Sequence, residues 1–172
     1  MATDLARQKY REASFFLSEM AKREGSPRLD QEEEFGYLLS AFLSAARSIS
    51  FVLRRENPLS YEVQSQEWLG GLDGSTRIVV DFMRDQRNAA LKEGVVASER
   101  NIEQIPASIA DRSSDRSHFS TTVIVQPYFF DEAATIAVSR YVLKLGGMER
   151  PALQVCRDYL AALELLVARF QA

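Results

Sequence analysis

The sequence predicts a mostly α domain: an up-and-down bundle of four main helices, with a small β-hairpin inserted between the third and fourth. Three observations predict it. Apolar residues recur at i, i+3, i+4 and i+7 over several long stretches. Glycine and proline punctuate the ends of those stretches. Between the third and fourth stretch the helical period disappears, and β-branched and aromatic residues take over.

The first stretch, Asp4 to Glu24, places Ala13, Phe16, Leu17 and Met20 on one face. Thr3 or Asp4 is suited to cap its start. Gly25 and Pro27 end it, because glycine accepts the left-handed C-cap and proline cannot continue a helix. The second runs from Gln31 to Arg55, with Asp30 as N-cap and Glu32, Glu33 and Glu34 at the positive end of the helix dipole. Phe35, Leu38, Leu39, Phe42, Ala46, Ile49 and Leu53 make one long stripe, and Leu43, Phe51 and Val52 widen it. Asn57-Pro58 stops it. At about 1.5 Å per residue this helix is roughly 37 Å long, enough to cross a small domain.

Ser60 to Leu69 predicts two turns around Trp68 before Gly70-Gly71. The third long helix spans Ser75 to Glu93, capped by Ser75 and closed by Gly94, with Val79, Phe82, Met83 and Ala90 facing the core. The insertion covers 95–148. Its polar run Asp111-Arg-Ser-Ser-Asp-Arg-Ser-His118 predicts a surface loop. Thr121-Thr-Val-Ile-Val-Gln-Pro-Tyr-Phe-Phe130 and the alternating Ile136–Val142 predict the two strands of the hairpin, joined near Asp131-Glu132. A helix over 132–144 competes for the second of these. Gly146-Gly147 punctuates the chain, Pro151 suits a first helical position, and Leu153, Cys156, Leu160, Leu163, Val167 and Phe170 carry the last helix. No repeat or linker divides the 172 residues, so a single domain over 1–172 is expected.

Composition narrows the function. A hydrophobic share of 46% and a charged share of 26% belong to an ordinary globular protein. The net charge of −3 argues against a basic protein that coats nucleic acid. One cysteine, Cys156, excludes an intramolecular disulfide, and the absence of a signal-peptide pattern makes the cytoplasm the expected compartment. No uninterrupted apolar run approaches the roughly 20 residues of a membrane span. His118 is the single histidine. Metal centres and general-base catalysis lean on that residue type, so neither a metal nor another cofactor is expected.

A di-metal site in a helical bundle needs Glu-x-x-His pairs, and the sequence holds none. Cys156 lies on a core stripe and reads as a small buried hydrophobe. Gly70-Gly-Leu-Asp-Gly74 precedes a helix, where backbone amides hold phosphates, but it lacks the P-loop lysine and reads as a plain loop. Arg112 and Arg116 sit in a run whose charges alternate and cancel.

One constellation stands out, Phe82-Met-Arg-Asp-Gln-Arg-Asn-Ala-Ala-Leu-Lys-Glu-Gly94. On a wheel of about 100° per residue with Val79 at zero, Arg87 falls near 80°, between Met83 on one side and Val80 and Leu91 on the other. A guanidinium in apolar surroundings costs free energy unless it is paired or faces an interface. Glu12, Glu19 and Asp158 are the carboxylates that would pair it within the chain. Arg84, Asn88 and Lys92 share the opposite, polar face.

Arg87-Asn88, with a further position four residues on, resembles the Arg-Asn-x-x-x-His signature of HEPN domains (higher eukaryotes and prokaryotes nucleotide-binding). The helix Phe42-Leu-Ser-Ala-Ala-Arg-Ser-Ile-Ser-Phe-Val-Leu53, the tryptophan region before the motif and the final Cys156-Arg-Asp-Tyr-Leu160 helix are similar to a bacterial, uncharacterised HEPN-like group. The resemblance implies a helical bundle that dimerises and brings two motifs together. It implies either a metal-independent RNase of a toxin–antitoxin or defence system, or an inactive binding module. Carried over, the family arginine is Arg87, the asparagine is Asn88, and the histidine position holds Lys92. Lysine has a reference pKa of about 10.4 and stays protonated near neutrality; it can hold a phosphate but does not serve as a base there. The expectation is therefore a non-catalytic homodimeric interaction module that binds RNA or nucleotide weakly, or a protein partner, away from any membrane. The alternative is an RNase in which another group replaces the histidine. Phe51, Val80 and Leu91 are the expected dimer contacts, because they lie outside the stripes that one bundle needs.

Overall fold

The computed structural model describes residues 2–24, 32–93, 98–106 and 135–171. Among these, five helices and three strands follow the chain: α1 (Ala2–Arg23), α2 (Glu32–Glu56), α3 (Tyr61–Gly71), α4 (Gly74–Glu93), β1 (Glu99–Pro106), β2 (Thr135–Leu145), β3 (Met148–Pro151) and α5 (Ala152–Arg169). The protein is mostly helical with a small antiparallel sheet.

Periodicity explains the helices. On α1, Ala6, Ala13 and Met20 are buried at one-per-two-turns spacing, with Phe16 and Leu17 half-buried beside them. On α2, Phe35, Leu39, Phe42, Ala46, Ile49 and Leu53 disappear into the core together with Leu43 and Val52. Arg23 at the end of α1 meets Glu34 at the start of α2 (3.1 Å), so the two helices run side by side in opposite directions. The Leu53 carbonyl accepts from both the backbone amide and the side-chain amide of Asn57, at 2.9 and 3.1 Å, and this closes α2 ahead of Pro58.

Ten of the 18 residues of α5 are buried, and it touches every other helix. Trp68 Nε1 donates to the Ala162 carbonyl at 2.8 Å, tying α3 to α5. Tyr10 Oη donates to Glu164 at 3.2 Å, tying α1 to the same helix, and Arg7 donates to Gln171 at 2.7 Å in the turn just beyond it. Cys156 lies wholly inside, where burial raises its thiol pKa, so it behaves as a small core residue.

The sheet has the order β1-β2-β3, antiparallel throughout. Along β2 the side chains alternate: Ser139, Tyr141, Leu143 and Leu145 are buried, while Arg140 and Lys144 are exposed. The buried face meets the helices where the Phe35 and Tyr141 rings stack at 3.7 Å.

Several expectations change here. The predicted strand Ile136–Val142 lies within β2, and the competing helix is excluded over 135–144. Among the described residues the partner of β2 across that stretch is β1, where the sequence pattern predicts no strand. The Thr121–Phe130 strand, the turn at 131–132 and the Asp111–His118 loop lie outside the described residues, as do Asp30, Gly25, Pro27 and Gly94. Gly146 and Gly147, at φ 56° and 87°, form a two-residue hairpin turn into β3, with Leu145 opposite Met148. Positive φ at both central positions demands glycine. Pro151 pairs with Val142 as the last residue of β3, and α5 begins at Ala152 instead. The start of α1 at Ala2 puts Thr3 and Asp4 inside the helix rather than at its cap.

Over Glu33–Glu56, α2 is long and apolar enough to cross a membrane by length and composition. Its stripe from Phe35 to Leu53 is instead spent on α1, α4, α5 and the sheet, the burial pattern of a core helix.

Candidate functional site

A groove of about 180 Å³ opens where α2, α3, α4 and α5 meet. Its floor is made by Val80, Tyr159 and Leu163, all nearly inaccessible to solvent. Its walls carry three guanidinium groups, from Arg47, Arg54 and Arg84.

Helical spacing assembles the walls. On α2, Arg47, Ser50, Phe51 and Arg54 fall at i, i+3, i+4 and i+7, a second face beside the apolar stripe. On α4, Val80 and Arg84 are one turn apart on the row that continues to Asn88 and Lys92. Tyr159 comes from α5 and packs edge-to-face on Phe42 at 6.5 Å.

The three arginines differ in how they are neutralised. Arg54 is paired with Glu62 of α3 at 2.7 Å. Arg84 reaches Asp81 only at 4.0 Å, with both side chains well exposed, a pair of little consequence. The Arg47 guanidinium lies over the Phe51 ring, 5.2 Å from its centroid, a cation–π contact that fixes its position. Among the described residues Arg47 has no carboxylate within ion-pair distance, and its buried Nε has no hydrogen-bond partner. Burial pushes the Tyr159 hydroxyl up to about 12, against the opposing pull of the Arg47 and Arg84 charges. At neutral pH that hydroxyl is a donor.

The residues singled out in the sequence fall around this groove unevenly. Arg87, Leu91 and Lys92 are placed by the α4 backbone, and only their positions along that helix are described. Asn88 is exposed, one turn beyond Arg84. Val80 is fully buried within the chain itself, at the groove floor, so it is not available to a dimer interface. Phe51 is 50% exposed at the groove rim. The carboxylates considered for Arg87 each hold another cation: Glu12 holds Lys9 at 2.6 Å, Glu19 holds Lys22 and Arg23, and Asp158 holds Arg150 at 2.8 Å. His118 lies outside the described residues.

The glycine-rich turn before α4 is occupied by its own chain. The Asp73 carboxylate accepts from the hydroxyls of Ser75 and Thr76 and from their amides at 2.9 and 3.0 Å, which holds it well below the usual carboxylate range. Asp73, not Ser75, therefore caps α4, and the anion position at this helix start is filled. Among the described residues no three His, Cys, Asp or Glu side chains cluster as metal ligands would.

Arg47, Arg84 and Tyr159 are the groove residues that sequence reasoning missed. The signal was present on α2: two arginines seven apart flanking Phe51 on a helix otherwise committed to the core.

Compared with protein-family models, with curated proteins and with solved structures, the chain matches none.

Proposed function

We propose that this chain is a non-catalytic, HEPN-like homodimeric interaction module of the cytoplasm, an up-and-down bundle at heart, that binds RNA or nucleotide through its arginine groove. The single observation that carries the reading is the electrostatic imbalance of that groove. Among the described residues three guanidinium groups face one lining carboxylate, Glu62, in a recess floored by apolar side chains. Such a recess strengthens attraction for an anion and offers planar donors suited to phosphate oxygens.

Two features favour binding over cleavage. Among the described residues the groove's titratable lining consists of arginines, Glu62 and the tyrosines, with no imidazole. The motif position that holds histidine in the resembled family is Lys92. Asn88 and Lys92 continue the α4 row from Arg84 at one-turn spacing of about 5.4 Å, so an RNA strand leaving the groove along α4 passes the motif positions. A homodimer joined near the exposed Phe51 would set two such grooves side by side.

The test is a fluorescence anisotropy titration of a labelled single-stranded RNA, run beside a gel assay for cleavage and light scattering for mass. Expected are salt-sensitive binding weakened by Arg84→Ala, intact RNA, and a mass near twice 19.4 kDa. Metal-independent cleavage abolished by Arg87→Ala would replace this reading with the RNase alternative. A mass that stays at one chain on concentration removes the dimer.

A further inference from the structure

The charge and shape of the groove specify its ligand more narrowly than "nucleic acid". We propose that it takes a dianionic phosphate monoester, the terminal phosphate of a nucleotide or of an RNA end, in preference to the phosphodiester links within a strand. The proposal rests on the RNA-or-nucleotide reading above and deepens it.

Charge comes first. Among the described residues Arg47, Arg54 and Arg84 line the groove with Glu62 as their one carboxylate, and Glu62 is committed to Arg54. The surplus is two positive charges, carried by Arg47 and Arg84. A monoester phosphate above its second ionisation, near pH 6, carries close to two negative charges; a diester carries one. Matching the surplus with a dianion leaves no guanidinium uncompensated against the apolar floor, where an unbalanced charge is costly.

Shape agrees. About 180 Å³ is below the roughly 300–1,000 Å³ of sites that enclose a drug-sized molecule, so the groove holds one end of a ligand. Val80, Tyr159 and Leu163 close its bottom, and a chain-internal phosphate, which must continue in two directions, fits a closed recess poorly. A terminal phosphate presents three oxygens that only accept hydrogen bonds. Donor-bearing side chains line the recess from different elements: Arg47 and Ser50 of α2, Arg84 of α4 and Tyr159 of α5. The Phe51 ring braces the Arg47 guanidinium at 5.2 Å, so the fork is held in place before the ligand arrives. With half its surface open at the rim, Phe51 also gives the attached base an aromatic neighbour.

Isothermal titration of the full chain with adenosine 5′-monophosphate and with the 3′,5′-cyclic diester decides the matter, with inorganic phosphate as a third ligand. At pH 7.5 the 5′-monophosphate is expected to bind at least about tenfold more tightly than the cyclic diester. At pH 5, where the monoester keeps a single charge, most of that preference should vanish. Arg47→Gln and Arg84→Gln, each checked for native circular dichroism, should each weaken monophosphate binding about tenfold or more. Arg47→Lys, which keeps the charge and loses the fork, should weaken it less. Equal affinity for the two nucleotides, or monophosphate binding unchanged in both folded Gln variants, overturns the proposal. A short RNA with a 5′-phosphate or a 5′-hydroxyl separates this inference from the broader one. Equal, Arg84-dependent binding of both RNAs overturns the monoester preference and leaves RNA binding standing. Monophosphate binding without RNA binding supports the groove's ligand and removes the RNA reading.

Discussion

Replacing Phe35 tests whether the sheet is part of the core or an appendage to it. Phe35 is fully buried on α2, and its ring stacks at 3.7 Å and 5° on Tyr141 of β2, itself 1% exposed. Truncation to alanine removes a buried aromatic side chain and leaves a cavity, a loss of about 4 kcal/mol in typical cores. Unfolding entropy near 2.1 cal/mol/K per residue makes each kcal/mol worth about 3 °C of Tm in a chain of this size. Phe35→Ala should therefore lower Tm by about 12 °C. Phe35→Leu keeps most of the apolar volume and loses mainly the ring pair and its fit, so about 1.5 kcal/mol and roughly 4–5 °C are expected. A double-mutant cycle with Tyr141→Leu isolates the pair and should return a coupling near 1 kcal/mol. Differential scanning calorimetry measures the native chain and every variant. A drop below about 4 °C for Phe35→Ala, or a coupling indistinguishable from zero, would refute the packing of helix on sheet described above.

Further predictions concern charge and the motif. Glu24 is half-buried, and desolvation raises its pKa despite the opposing pull of Arg140 and Arg157. A carboxyl that binds its proton more tightly when folded loses stability as pH rises from its unfolded pKa through the raised folded value; Glu24→Gln should melt no lower than the native chain at pH 7.5, with the difference shrinking below pH 5. A native chain clearly more stable than the variant at pH 7.5 would contradict this. Trp68→Phe breaks the 2.8 Å bond to Ala162 and shrinks a buried side chain, so a loss of about 2 kcal/mol, near 6 °C, is expected in thermal melts. Lys92→His supplies the residue that the resembled signature carries at this position and should confer weak RNA cleavage with an optimum near the imidazole pKa of about 6.5; no cleavage from pH 5 to 9 would mean that the surrounding geometry does not support that chemistry.

The helices were legible because each carries its own 3.6-residue pattern. The Phe35–Leu53 stripe needs no partner to be seen, and its predicted ends fall within one residue of those of α2. The strands were less visible for opposite reasons. β2 alternates over Ser139–Leu145 and announced itself. β1, Glu99-Arg-Asn-Ile-Glu-Gln-Ile-Pro106, has only Ile102 and Ile105 as β formers, and its conformation is set by pairing with β2. β3 is four residues long with no pattern, and the Gly146-Gly147 pair that makes its turn was read as punctuation. The groove was illegible for a topological reason. Arg47, Arg84 and Tyr159 belong to three helices, and only their packing brings two cations and a hydroxyl around one recess. The wheel for α4 placed Arg84 on a polar outer face; the buried Val80 one turn earlier shows that this row begins inside.

The central position of α5 has a consequence for how the chain reaches this state. Its bonds to Tyr10 and Trp68 join residues 154 and 94 positions apart in sequence. The α1–α2 hairpin rests on neighbours in sequence and can form at once, but the apolar surface of α2 that α1 leaves open, and that of α4, are not fully covered until α5 docks. Search over such separations slows folding relative to helical proteins built from local contacts. During that interval Leu39, Phe42, Val79 and Met83 are open to other chains. Changes on α5 therefore act on two quantities at once: the stability of the finished protein, and the length of time for which an unfinished one remains adhesive.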